Sequence, residues 1–147
     1  FPKHIKFEEA CFAEPLACVI NANRIADVKP GDMVLVIGAG PMGLLHTQIA
    51  KLSGATVIIC DTIKERVDFA KRIGADVAVN VAEEDLSKHV KELTDGLGVD
   101  KIIVTIGAKD AIERNIKLAR KKRNNNIVRR RHPTIKHQYR SEFYTLS

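Results

Sequence analysis

Short apolar runs recur along the chain between residues 33 and 106. Apolar runs uninterrupted by polar positions are typical of strands that are buried on both faces of a parallel sheet. A turn signal, Lys29-Pro30-Gly31-Asp32, precedes the first run. The predicted strands cover residues 33–37, 56–60, 77–79 and 101–106.

Between these runs, apolar residues recur every three or four positions, which is the period of a helix with one buried face. They are Met42, Leu45, Ile49 and Leu52, then Ile63, Val67, Ala70 and Ile73, then Leu86, Val90, Leu93 and Leu97, then Ile112, Ile116 and Ala119. Pro15 predicts an opening helix over residues 15–26. Alternating strands and helices with right-handed crossovers predict an α/β fold, a doubly wound parallel sheet in the order 3-2-1-4.

Charge divides the chain into two unequal parts. The net charge of +6 over 147 residues suggests an anionic partner until it is assigned to positions. Residues 120–147 carry nine basic side chains and one acidic side chain, whereas residues 1–119 carry 15 basic and 17 acidic side chains. The globular part is therefore slightly acidic, and the excess of positive charge lies in the tail.

The sequence predicts a cytoplasmic location. No apolar run approaches the ~20 residues that span a bilayer, and residues 1–4 lack the pattern of a secretory signal. The three cysteines, Cys11, Cys18 and Cys60, form no CxxC pair, so we expect reduced and mostly buried thiols.

A glycine-rich motif stands directly after the first strand and at the start of the first helix that follows it. It reads Gly38-Ala39-Gly40-Pro41-Met42-Gly43, a GxGxxG. In this context Gly38 permits a tight turn, Gly40 lets main chain approach a pyrophosphate, and Gly43 lets helix and strand pack closely. The motif predicts a dinucleotide site in a sheet of the Rossmann type; the alternative is a strand–helix turn that needs glycines for packing alone.

Asp61 ends the second predicted strand, eighteen residues after Gly43. An acidic side chain at this place accepts hydrogen bonds from the adenosine ribose, and its charge repels a 2′-phosphate, so it favours NAD over NADP. Arg66 leaves the alternative open, because it can bind that phosphate or lie near the adenine.

Further candidates end the fourth predicted strand. Thr105 and Gly107 lie beside the point where strand order reverses, so their main chain is expected to border the nicotinamide end of the cofactor. Gly107 can equally be a plain loop residue. His46 and His89 are interpreted as packing or surface residues, and the sequence predicts no catalytic residue within this chain.

Ordered motifs from about Glu9 to Ala119 give the chain a family resemblance. They are Glu14-Pro15-Leu16-Ala17, Val28-Lys29-Pro30-Gly31-Asp32, the GxGxxG with Leu44, Asp61, Gly74-Ala75-Asp76 and Asp95-Gly96-Leu97-Gly98-Val99-Asp100. Together they resemble the zinc-dependent medium-chain dehydrogenases, most closely the polyol, sorbitol and threonine dehydrogenase branch.

The resemblance implies the cofactor domain of a longer oxidoreductase that passes hydride from a secondary alcohol to NAD, with zinc polarising the alcohol oxygen. Residues 1–14 would then lead in from a missing catalytic domain, and residues 15–119 would form the dinucleotide-binding domain. Glu14 matches a family position near the metal, although a Glu before Pro is at least equally explained as a helix-start residue. This fragment is expected to be inactive alone, and the full-length family implies a homo-oligomer without a membrane partner.

Residues 120–147 depart from the family pattern, which has a glycine turn and a further buried strand here. We expect an irregular basic tail, a sheet incomplete at its C-terminal strands, and an exposed edge on the fourth strand. A shifted reading frame or an uncertain sequence is the favoured explanation; a natural variant with a disordered tail and a basic binding arm are the others. The last of these gives the alternative function, a non-catalytic nucleotide-binding module whose tail contacts nucleic acid or an acidic partner.

Overall fold

The computed structural model describes residues 2, 4–107, 109–121 and 143–145. Within them, one parallel sheet has the strand order β3-β2-β1-β4-β5. The strands are β1 (Met33–Ile37), β2 (Thr56–Asp61), β3 (Val77–Asn80), β4 (Lys101–Val104) and β5 (Phe143–Thr145). The doubly wound α/β fold and the order 3-2-1-4 of the first four strands are thus confirmed.

Helices occupy the segments between the strands, as the apolar periods predict. They are α1 (Phe7–Ala10), α2 (Ala13–Ile25), α3 (Pro41–Leu52), α4 (Lys64–Arg72), α5 (Leu86–Leu93) and α6 (Lys109–Asn115), followed by a 3-10 turn (Ile116–Leu118). The opening helix begins at Ala13, so Pro15 lies inside its first turn, where a missing N–H costs no hydrogen bond. Among the described helices, none is long and apolar enough to cross a membrane.

β1 lies at the centre of the sheet and is buried on both faces. It pairs with β2 through Val34 and Val57 and with β4 through Val34 and Lys101. On one face, Val36 and Ile59 pack with Ala50 of α3 and Ala70 of α4. On the other face, a second cluster includes Leu35, Ile58, Val79, Leu86 and Val90, the last two from α5. The apolar runs therefore supply both halves of the core, which is why they contain almost no polar residues.

The structure corrects the expected end of the fourth strand. β4 ends at Val104, its last partner on β1 being Ile37, and residues 105 and 106 lie outside it. The reason is that β1 leaves the sheet at Gly38, whose φ is +101°. A strand loses its partner where the neighbouring main chain turns away.

The expectation of an irregular tail is wrong for residues 143–145. They form β5, which pairs in parallel with β4 from Ile102↔Phe143 to Val104↔Thr145, so the edge of the fourth strand is covered there. Phe, Tyr and Thr favour strands, a local preference that three residues are too few to reveal. The tail's other residues, apart from Arg120 and Lys121, lie outside the described part of the chain.

The expectation of mostly buried cysteines is also wrong. Cys60 is buried in β2, whereas Cys11 and Cys18 are exposed. In α2 the buried residues are Val19, Ala22 and Asn23, and Cys18 lies off this face. A cysteine's chemical type alone does not identify the side of a helix that it occupies.

Candidate functional site

The glycine motif forms a turn, residues 38–43, at the carboxyl end of β1. Gly40 is the residue that precedes α3, and Pro41 occupies the first position of that helix. β2 and β4 flank β1 and end at the same edge of the sheet. Ligands of open parallel sheets bind at this edge, where the crossovers on the two sides separate.

Two of the three motif glycines are required by the packing of the turn. A Cβ on Gly38 would lie 2.6 Å from Thr105 Oγ1 and 2.7 Å from Ile106 Cγ2. A Cβ on Gly43 would overlap the carbonyl oxygen of Gly38. The close packing expected of Gly43 is therefore present, and it accounts for these two glycines without a ligand.

Gly40 differs from the other two. Among the described residues, a Cβ built on it meets nothing within 4 Å, and its φ of −75° is open to any residue. The first helical hydrogen bond of α3 runs from Leu44 N–H to the Gly40 carbonyl oxygen. Within the described residues, the N–H groups of Gly40, Met42 and Gly43 therefore remain available at the positive end of the helix dipole. Open space and available donors meet at one place.

Asp61 ends β2 and faces this turn with its side chain. Its Oδ2 accepts a hydrogen bond from Ala39 N–H at 2.8 Å, and its Oδ1 accepts one from Ile63 N–H at 3.0 Å. The side chain is 8% exposed, and Arg66 Nη1 lies 3.8 Å from Oδ2 while its own side chain is 51% exposed. Each carboxylate oxygen has a second lone pair, so the group is oriented by the turn and still able to accept a further donor.

Thr105 and Gly107 follow β4 at the same edge. Sequence reasoning expected a role for the main chain of Thr105 and missed its hydroxyl, which donates toward the Ile37 carbonyl at 3.0 Å and the Gly38 carbonyl at 3.3 Å. The available signal was a β-branched residue with a hydroxyl placed directly after an apolar strand. Gly107 is exposed, and a Cβ on it would meet nothing within 4 Å.

Glu14 lies in the first turn of α2 and is exposed. Its Oε1 accepts a hydrogen bond from the Cys18 thiol at 3.3 Å. Among the described residues, no group of three His, Cys, Asp or Glu side chains is placed to hold a metal ion. A zinc cage needs three or four such ligands, so this part of the chain does not fit one, and the role of Glu14 stays a prediction.

Two titratable groups lie buried close to the turn. His46, on α3, is fully buried, and its ring nitrogens have no hydrogen-bond partner in the described part of the chain. Burial lowers the pKa of His46 to about 4, so its ring is neutral at pH 7. Burial raises the pKa of the Cys60 thiol to about 12, and the charge of Asp61 acts in the same direction. Both groups are packing residues at neutral pH.

The start of the basic tail belongs to the folded domain. Arg120 Nη1 lies 3.1 Å from Asp100 Oδ1, and Arg120 N–H donates to the Val99 carbonyl at 2.7 Å. The basic residues after Lys121 lie outside the described residues. The alternative of a nucleic-acid contact falls on that segment and stays a prediction.

Comparisons with known proteins identify the family of the chain. The family model described as zinc-binding dehydrogenase matches residues 41–127, more than half of the chain. D-arabitol-phosphate dehydrogenase of Enterococcus avium is 42% identical over 123 residues, which cover 82% of this chain and 35% of that protein. L-threonine 3-dehydrogenase of Pyrococcus furiosus is 41% identical over 116 residues, which cover 78% of this chain and 33% of that protein.

Solved structures show the same relationship. Alcohol dehydrogenase TADH from Thermus sp. ATN1 superposes with a TM-score of 0.75 at 30% identity, covering 81% of this chain and 36% of that one. An Escherichia coli CFT073 structure described as a short chain alcohol dehydrogenase complexed with NADH has a TM-score of 0.72 at 30% identity, covering 81% and 35%. The chain spans about a third of the length of the curated relatives it matches. The matches confirm the resemblance that the motifs indicated, and the chain belongs to the zinc-binding dehydrogenase family.

Proposed function

We propose that this chain is the NAD(H)-binding part of a zinc-type dehydrogenase that oxidises a secondary alcohol or a polyol. One observation carries the proposal: the open space beside Gly40 adjoins both the available N–H groups of α3 and the Asp61 carboxylate. A dinucleotide presents a pyrophosphate and a ribose with the matching chemistry.

The pyrophosphate is placed at the first turn of α3. The N–H groups of Gly40, Met42 and Gly43 point out of the helix end, and the helix dipole favours an anion there. Because Gly40 has no side chain, phosphate oxygens can approach its main chain within hydrogen-bonding distance. A methyl group at this position would occupy the space that the phosphate needs.

The preference for NAD over NADP is assigned to Asp61. Its carboxylate is held by Ala39 N–H and Ile63 N–H, so it cannot swing away from a 2′-phosphate without losing two hydrogen bonds. Arg66 lies 3.8 Å from the carboxylate and partly offsets its charge. A 2′-phosphate beside this carboxylate would be repelled by its charge, and we expect one exposed arginine to offset that repulsion only in part.

Thr105 and Gly107 follow β4 at the edge that we assign to the nicotinamide end. They would border the nicotinamide end of the cofactor, which would supply hydride acceptance for the oxidation of the alcohol. The chain spans about a third of its curated relatives, and we assign the zinc ligands and the substrate pocket to the remainder of the longer protein, with Glu14 as a residue near the metal. We expect this chain alone to bind cofactor without appreciable turnover.

The test is a titration of the full chain with NADH and with NADPH, followed by nicotinamide fluorescence. We expect saturable binding of NADH and at least tenfold weaker binding of NADPH, which corresponds to about 1.4 kcal/mol. A folded sample, checked by circular dichroism, that shows no saturable binding of NADH would contradict the proposed function.

Asp61→Asn tests the preference, because the amide oxygen still accepts from Ala39 N–H while the charge is lost together with the oxygen that accepts from Ile63 N–H. The ratio of the two dissociation constants should fall toward one. Asp100→Asn is the matched control, since Asp100 also accepts a main-chain hydrogen bond, from Met33 N–H at 2.9 Å, but lies away from the turn. Equal ratios in wild type and Asp61→Asn would remove the role given to Asp61.

A further inference from the structure

The start of the glycine turn is held from both neighbouring strands. On the β2 side, Gly38 N–H donates to the Cys60 carbonyl at 2.8 Å, and Ala39 N–H donates to Asp61 Oδ2 at 2.8 Å. On the β4 side, the hydrogen bonds to this part of the chain are made, among the described residues, by Thr105, and Ile106 adds an apolar contact. The turn is therefore anchored on one side by the charged side chain of Asp61, which the sequence indicates, and on the other side by the uncharged Thr105.

Thr105 contacts three parts of the site through few atoms. Its N–H donates to the Ile37 carbonyl at 3.0 Å, and its hydroxyl is shared between the Ile37 carbonyl at 3.0 Å and the Gly38 carbonyl at 3.3 Å. The hydroxyl oxygen also lies 2.6 Å and 3.3 Å from the positions that a Cβ would occupy on Gly38 and Gly43. The end of β1, the turn and the first turn of α3 thus all meet at this oxygen.

We propose that Thr105 is a positioning residue for cofactor binding, acting through the turn on the phosphate-binding N–H groups. The proposal rests on the proposed function. The orientation of the peptide between Gly38 and Ala39 sets the direction of the following peptide, whose N–H belongs to Gly40. A hydroxyl donating toward the Gly38 carbonyl restrains the first of these peptides. Donors that are already oriented bind an anion more tightly, because less ordering is needed on binding.

Valine is the informative substitution because it keeps the β-branched shape and removes the hydroxyl. In Thr105→Val the Ile37 carbonyl keeps the Thr105 N–H as partner, whereas the Gly38 carbonyl faces a methyl group. The turn then loses its restraint on the β4 side while the Asp61 anchor stays in place. We expect a looser turn rather than an unfolded domain.

Thr94 provides a matched control at a distant site. Its hydroxyl is buried, donates to the Val90 carbonyl at 2.7 Å and accepts from Gly98 N–H at 3.0 Å. Thr94 thus also bridges main-chain groups beside a glycine, but that glycine lies in the loop before β4, at the opposite edge of the sheet. A loss of stability alone should be equally visible in Thr94→Val.

The experiment compares the full wild-type chain with Thr105→Val, Thr105→Ser and Thr94→Val. NADH affinity is measured by fluorescence, the melting temperature by circular dichroism, and amide hydrogen exchange at Gly38 and Ala39 by NMR. We expect Thr105→Val to bind NADH about tenfold more weakly and to exchange these two amides faster. Thr105→Ser should restore the affinity to within about twofold of wild type, and Thr94→Val should lower the melting temperature without changing the affinity.

The outcomes separate the two proposals. If the wild type binds NADH and Thr105→Val binds it with equal affinity, the role of Thr105 is overturned and the proposed function stays intact. Folded wild type that does not bind NADH overturns the proposed function and this role with it. If Thr105→Val does not fold, Thr105→Cys replaces it, since a thiol is only a weak donor; in either series, failure of Thr105→Ser to restore binding also overturns the role.

Discussion

Two glycine turns at opposite edges of the sheet contain similar residues but differ in what they can bind. The first turn is residues 38–43, after β1; the second turn is residues 95–100, before β4. Gly38 and Gly98 both adopt a positive φ, +101° and +84°. A Cβ on either would meet an oxygen at 2.6 Å, Thr105 Oγ1 in the first turn and the Leu118 carbonyl in the second.

The carboxylates beside the two turns are also alike. Asp61 and Asp100 each accept a main-chain hydrogen bond, and each side chain is 8% exposed. Each lies near an arginine, Arg66 at 3.8 Å and Arg120 at 3.1 Å. The packed glycine, the carboxylate and the arginine therefore do not by themselves distinguish the two turns.

The difference lies in the main-chain donors that adjoin the open space beside each turn. Among the described residues, a Cβ built on Gly40 meets no atom within 4 Å, and the same holds for Gly96 in the second turn, whereas the space beside Gly98 is filled by the main chain of residues 118–120. The first turn precedes a helix whose initial N–H groups are available. The second turn contains Val99, whose N–H and carbonyl are used in the bridge Val99↔Ala119, and its Gly96 N–H donates to the Lys91 carbonyl. A glycine turn becomes a binding site when the fold leaves its donors and the adjacent space unoccupied.

The largest expected effect comes from replacing the packed glycine of each turn with alanine. Gly43→Ala forces α3 away from the Gly38 carbonyl, and Gly98→Ala strains a positive φ and meets the Leu118 carbonyl. Each should lower the free energy of unfolding by about 2–3 kcal/mol. Of the two variants, only Gly43→Ala should also weaken NADH binding. We expect its affinity to fall at least about a hundredfold, because the substitution moves the phosphate-binding donors.

Urea denaturation measures the stability of Gly43→Ala and Gly98→Ala, and NADH titration measures their affinity at a temperature where both variants are folded. Gly31→Ala is a control for a positive φ alone, because a Cβ there meets nothing within 4 Å. Equal loss of NADH affinity in Gly43→Ala and Gly98→Ala would break the comparison, since the second turn would then belong to the site.

The second prediction uses acid to distinguish the helices next to the two turns. His46 on α3 is fully buried with a pKa of about 4, while His89 on α5 is partly exposed and lies 2.8 Å from Glu84. Because an unfolded histidine has a pKa near 6.5, the unfolded chain binds the proton first as the pH falls. The contribution of neutral His46 to the free energy of unfolding is complete above pH 6.5 and is lost between about pH 6.5 and 4. The loss at pH 5 is about 2 kcal/mol.

Urea denaturation at pH 7 and pH 5 measures this loss in wild type, His46→Met and His89→Gln. We expect His46→Met to remove most of the decrease in stability, because no buried ring must then take up a proton. His89→Gln should keep the decrease. A wild-type decrease that persists in His46→Met would assign the acid sensitivity to other groups.

The smallest expected effect on stability comes from Gly40→Ala. Its backbone angles suit alanine and the new methyl group meets no atom within 4 Å, so the free energy of unfolding should change by less than about 0.5 kcal/mol. NADH affinity should nevertheless fall at least about tenfold, because the methyl group fills the space assigned to the pyrophosphate. Unchanged NADH affinity in Gly40→Ala would place the cofactor elsewhere.

Much of the fold could be predicted from the sequence because its signals are local and strong. Residues 33–37 and 102–104 have unbroken apolar character, which is typical of a strand covered on both faces, and both lie in strands. The glycine motif between β1 and α3 was equally clear, because strand, glycines and helix follow one another directly. These features depend on neighbours in sequence.

The remaining features depend on residues that are far apart in sequence. β4 was predicted two residues too long, because its end is set by β1 turning away at Gly38. β5 was missed because three residues pair with a strand about 40 positions upstream. The Thr105 hydroxyl was missed for the same reason, since its partners, Ile37 and Gly38, lie 68 and 67 residues earlier.

The sequence by itself determined the order of strands and helices, the place of the glycine turn and the acidic residue at the end of β2, because hydrophobic period and main-chain sterics act over a few residues. Only the tertiary structure decided which glycines serve packing and which leaves room for a ligand. It also decided that Asp61 is oriented by Ala39 N–H and that His46 is buried without a partner in the described part of the chain. Space, burial and hydrogen bonds between distant strands exist only once the chain has packed.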